Sequence, residues 1–122
     1  MNLKALGLAG VAAGLFALPA LAHHSFAMFD AELTMSVEGA VHEFQWTNPH
    51  SWMLIDVPNE SGEMITWAFE MGGPSGLARN GWRPRTVVPG DMVSATFHPL
   101  KNGDPGGQLL SMTLPDGTVM GD

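Results

Sequence analysis

The sequence predicts an all-β domain: a small closed barrel of five strands with one short helix between strands 3 and 4. Three observations carry that expectation. From Thr34 onward, apolar residues alternate in short runs bounded by Gly, Pro and Asn, which is the period of strands. The first run is long, carries Gly39 inside it, and switches its apolar phase from Val37 and Val41 to Phe44 and Trp46, as a bulged or bent strand does. The segment from Pro74 to Gly81 departs from the alternation and places proline where helices start and glycine where they stop.

Taken in order, the first strand runs from about Thr34 to Trp46, and Thr47-Asn48-Pro49-His50 forms a turn. A second strand, Ser51 to Val57, sets Met53, Ile55 and Val57 on one face, and Pro58 to Gly62 is a hairpin loop. A third, Glu63 to Glu70, alternates with Ile65, Trp67 and Phe69 on one side. The helix follows at 74–80. Val88-Pro89-Gly90-Asp91 turns into a fourth strand, Met92 to His98, with Val93, Ala95 and Phe97 inward. After a glycine-rich loop, Lys101 to Gly107, a fifth strand covers Leu109 to Leu114, and Asp116-Gly117 makes a last turn before a tail. Strand-strand-strand-helix-strand-strand with a long bent first strand is the element order of an OB-like barrel. The same strands could also form a small open sandwich. The expected core is Ile55, Ile65, Trp67, Phe69, Val93, Ala95 and Phe97.

The start of the chain reads differently. Lys4 precedes an uncharged apolar stretch from Ala5 to Leu18, then Pro19 and Ala20-Leu21-Ala22. A basic residue, an apolar run and a small-x-small ending make a secretory signal peptide, cut after Ala22. The stretch is too rich in small residues, and too interrupted by Pro19, to favour a stable membrane anchor. The expected organisation is thus residues 1–22 as a cleaved signal peptide, 23–33 as an N-terminal arm, and 34–122 as the OB-like domain in the periplasm. Phe26, Met28 and Phe29 in the arm are placed to pack back onto it.

Composition narrows the partners. The cut removes Lys4, which leaves four basic residues against 12 acidic ones. That balance repels phosphate backbones and anionic headgroups, so no nucleic-acid partner is expected. Cysteine is absent. Thiolate sites, redox thiols and a lipoprotein anchor are therefore excluded, and a metal would have to find nitrogen or oxygen donors.

All five histidines, His23, His24, His42, His50 and His98, lie beyond the expected cut. With His23 at the new terminus, its amine and ring Nδ1 close a chelate on one ion. Freeing that amine of its proton at neutral pH costs about 1–1.5 kcal/mol. One more imidazole completes a three-nitrogen set suited to copper(II). His50, on a turn restrained by Pro49, is the expected third ligand, and His24 is the substitute. The bland alternatives are a polar, flexible terminus for the His pair and an ordinary turn residue for His50. His42, beside the expected bulge, reads as a satisfied structural group, and His98 as a surface residue.

Other features point less sharply. Thioether sulfur suits copper(I), which makes Met28 near the His pair worth noting, although most methionines sit at strand positions as core fillers. Arg79, Arg83 and Arg85 surround Trp82 and are expected to offset carboxylates, Glu70 among them; clamping an anion is the sharper reading. The four tryptophans could line a ligand groove, with Trp67 reading as core. Ser51 follows His50 directly, but adjacency on a turn does not make a nucleophile–base pair. The loop Gly103 to Gly107 lacks the Lys-Ser/Thr of a phosphate loop. No constellation names a reaction.

HHSF at positions 23–26, GAVHEFQWTNPHS at 39–51, Trp67-x-x-Glu70, and the later NGW and VPGD together resemble a family of small exported bacterial proteins known as a domain of unknown function. The resemblance covers nearly the whole chain. It implies export and a single small β domain, marks His23, His24, Asn48, Pro49 and His50 as signature positions, and brings no activity with it. Two functions remain in view. One is an exported binding protein with a copper(II)-type site at the new N-terminus; the other is a metal-free module that binds a small ligand or a protein on its barrel.

Overall fold

The computed structural model describes residues 26–122. The expected signal peptide, His23 and His24 lie outside the described residues. Six strands and one helix follow a 3₁₀ turn at Phe26–Met28: β1 (Met35–Gln45), β2 (Trp52–Pro58), β3 (Met64–Glu70), α1 (Pro74–Arg79), β4 (Met92–Pro99), β5 (Gly106–Thr113) and β6 (Val119–Gly121).

Strand β1 pairs antiparallel with both β2 and β4, β2 with β3, and β4 with β5. A parallel pairing of β3 with β5, from Ala68↔Gly106 to Glu70↔Gln108, closes the circuit. The closed five-stranded barrel and the short helix between strands 3 and 4 are thus as the sequence predicts, and the circuit β1-β2-β3-β5-β4 is OB-like.

The bend in β1 uses two devices where one was expected. The register shift falls between Val41 and Glu43, so His42 is the bulged residue and accounts for the phase switch. Gly39 is three residues away and serves close approach: a Cβ there would run into the Asp56 carbonyl. Crowding also explains Gly106 and Gly107. The chain reads them as loop, yet they open β5 at the closing seam, where a Cβ would strike the backbone carbonyls of Ala68 and His98.

Five of the seven expected core residues, Ile55, Phe69, Val93, Ala95 and Phe97, are buried. Ile65 and Trp67 are half-buried, with Trp67 edge-on to Phe97 at 5.7 Å. The largest buried side chain is Trp82, fully enclosed rather than lining a groove. Its indole N–H donates to the Gly121 carbonyl at 2.8 Å, which ties the region after α1 to β6. That sixth strand, along Ser111 to Thr113 of β5, was expected to be tail. Three residues are too few for alternation to show.

The arm is fastened to the barrel. Phe29 is buried and bridges to Leu100, the Asp30 N–H donates to the Pro99 carbonyl at 2.8 Å, and the Lys101 N–H donates to the Met28 carbonyl at 3.0 Å. No helix among the described residues is long and apolar enough to cross a membrane.

Candidate functional site

The turn before β2 and the two-glycine segment after β3 lie side by side, because their backbones extend the β2–β3 ladder. The Ser51 N–H donates to the Gly72 carbonyl at 3.0 Å and the Met71 N–H to the Ser51 carbonyl at 2.9 Å. The turn itself has a cis Asn48–Pro49 peptide. The Thr47 hydroxyl closes it on the His50 carbonyl at 2.7 Å. Ser51 is fully buried within this lattice, its hydroxyl spent on the Thr47 backbone, so it is no nucleophile.

This lattice holds His50 in one orientation. Its Nδ1 lies 3.1 Å from the Met71 carbonyl oxygen. A carbonyl only accepts, so Nδ1 carries the proton and donates, and Nε2 has no hydrogen-bond partner among the described residues. The same Nδ1 is 3.4 Å from Glu70 Oε1. Glu70 ends β3 on the face opposite Ile65 and Phe69, yet its side chain is only 6% exposed. Its second oxygen, Oε2, is buried with no hydrogen-bond partner. Buried polar atoms are nearly always satisfied, so a carboxylate oxygen left over is unspent capacity.

His50 and Glu70 line a cavity of about 120 Å³ with Phe26, Met71, Gly72, Gln108 and Asp122. The Asp122 carboxylate accepts the Gly72 N–H at 2.9 and 3.1 Å. Burial raises its pKa above the ordinary carboxylate value, Glu70 adds to that, and the Gly72 hydrogen bond and His50 oppose it. Phe26 is where the described chain reaches the cavity wall.

The other two described histidines are engaged elsewhere. His42 is on the surface with Nδ1 2.9 Å from Asp56 Oδ2, in keeping with its reading as a satisfied group. His98 Nδ1 is 2.6 Å from the Leu33 carbonyl oxygen and pins the arm, a role that its outward phase concealed. The arginines do not offset Glu70: among the described residues no arginine forms an ion pair with a carboxylate. Arg83 instead donates to the carbonyls of Ala78 and Trp82 at the end of α1.

Of the three expected ligands, the structure thus describes His50 alone. No group of three or more His, Asp or Glu is arranged to hold a metal among the described residues. Sequence reasoning missed Glu70 and Asp122. Glu70 stands in the Trp67-x-x-Glu70 signature, a polar residue at the apolar end of a strand, and that was the available signal. Asp122 offered none.

These features define a small closed β-barrel with a histidine–carboxylate cavity whose wall includes Phe26 of the N-terminal arm. The chain belongs to a family of unknown function, DUF6152, whose family model matches residues 12–109. No curated protein and no solved structure matches it.

Proposed function

We propose that this is an exported periplasmic binding protein with a copper(II)-type site, built from the amine and ring of His23 after cleavage behind Ala22 and from Nε2 of His50, with His24 as the substitute ligand. The observation that carries the reading is the state of His50. Metal-binding histidines ordinarily donate their second ring N–H to a carbonyl or carboxylate, which fixes tautomer and orientation. His50 does so toward the Met71 carbonyl, with Glu70 Oε1 3.4 Å from the same nitrogen; Nε2 has no hydrogen-bond partner among the described residues, and the residue lines a cavity whose wall includes Phe26. His23 precedes Phe26 by three residues, a reach of about 10–11 Å of extended chain. Chain length therefore allows the terminal chelate to meet His50 without disturbing the barrel.

The test uses protein beginning at His23, titrated with copper(II) and followed by electron paramagnetic resonance. Multi-nitrogen coordination is expected in the parent and lost in His23→Ala and His50→Ala. Equal binding by His50→Ala and the parent would remove the shared site. One extra residue ahead of His23 blocks the amine chelate and should abolish tight binding; if it changes nothing, the metal-free module is the better reading.

A further inference from the structure

We infer that Glu70 is the charge-compensating carboxylate of the cavity and makes the site favour a divalent ion over a monovalent one. The inference rests on the proposed metal site and adds a residue and a selectivity to it. The nitrogen donors of that site, a neutral amine and neutral imidazoles, bring no negative charge. A dication held by them alone would carry its full charge into a partly enclosed cavity, which is unfavourable unless an anion pairs with it.

Glu70 is placed to be that anion. It is buried, and one of its oxygens has no partner. His50 Nδ1 lies 3.4 Å from its Oε1, and that nitrogen already donates to the Met71 carbonyl. Lysine and arginine form no ion pair with it among the described residues. Asp122, held by the Gly72 N–H, brings a second carboxylate to the same cavity. Glu70 and Asp122 thus place two acidic side chains in the wall of one cavity, where a cation could pair with them.

The attraction of a carboxylate for an ion scales with the ion's charge. A change that weakens copper(II) by about 10–100-fold, the usual effect of losing a supporting partner, should therefore weaken copper(I) only by the square root, about 3–10-fold.

Competition titrations on protein beginning at His23, with copper(II) in air and copper(I) under anaerobic conditions, test this in the parent and in Glu70→Gln. Glu70→Gln should retain the multi-nitrogen resonance, lose affinity for copper(II) by that larger factor, and narrow the copper(II)-to-copper(I) preference by about 3–10-fold. Asp122→Asn should shift the preference in the same direction by less, and it serves as the variant of record if Glu70→Gln does not fold. An unchanged preference, or equal loss for both ions, overturns the inference and leaves Glu70 a structural residue. Failure of the parent itself to bind copper overturns the metal reading, and the inference with it.

Discussion

Two histidine–carboxylate pairs stand on this barrel, and only one is finished. On the outer surface, His42 Nδ1 meets Asp56 Oδ2 at 2.9 Å while the Thr66 hydroxyl donates to Oδ1 at 2.7 Å, so both carboxylate oxygens are used. His42 is 54% exposed, and water can serve the rest of its ring. At the barrel end, Glu70 is closed off from water, lies at a longer 3.4 Å from His50, and keeps one oxygen unpaired. Surface polar groups need no further partner because solvent provides one; enclosed groups with spare capacity are costly unless something else binds. The same two residue types therefore make a completed structural brace in one place and leave a buried carboxylate oxygen without a partner in the other.

The largest expected effect removes the support beneath the cavity end. Trp82→Ala should lower stability by about 3–5 kcal/mol, as loss of a large buried aromatic does, and it also frees the Gly121 carbonyl next to Asp122. Urea unfolding checks it; a loss below about 1 kcal/mol would show that the surroundings collapse into the space. Next comes the contrast between the two pairs. His50→Ala should weaken copper(II) by more than about 100-fold, about 2.7 kcal/mol, whereas His42→Ala should leave the affinity within about twofold. Equal losses in the two variants would erase the distinction between finished and unfinished pairs.

The smallest effect concerns the finished pair and its response to acid. The Thr66 hydroxyl, and after it His42, hold the Asp56 carboxyl below its ordinary value. A folded pKa below the unfolded one contributes stability that is full above the unfolded value, about 3.9, and is lost as pH falls through the folded value. Urea midpoints of the parent and Asp56→Asn should differ modestly at neutral pH and converge below that range. A difference that grows with acidification would reverse the sign and refute the brace.

Much of the fold was legible along the chain because strands with one buried face alternate. Met53 and Ile55, Phe69, and Val93 to Phe97 announce which side faces in, and Pro74 and Gly81 bracket α1. Pairing partners carry no such mark. Gly106 and Gly107 look like loop residues until β3 lies beside them, and β6 is too short for a pattern. Glu70 misled for a related reason: alternation places it outward, and it is outward, but the cavity residues around it shield it from water. The three arginines near Trp82 were expected to answer the excess of carboxylates by composition alone; in space, Arg83 turns to helix-end carbonyls instead.

By itself, the sequence determined the β class, the position of the helix, the interruption in the first strand, and His50 as a residue fixed by a restrained turn. These follow from local rules, since period, proline and glycine act on neighbours within a few bonds. Tertiary structure alone decided that Glu70, Asp122, Phe26 and His50 share one cavity, and that His42 belongs to a different, completed pair. Those residues are separated by up to 96 positions in the chain, from Phe26 to Asp122. Only closure of the barrel, through a β3–β5 seam that glycine makes passable, brings them to the same end.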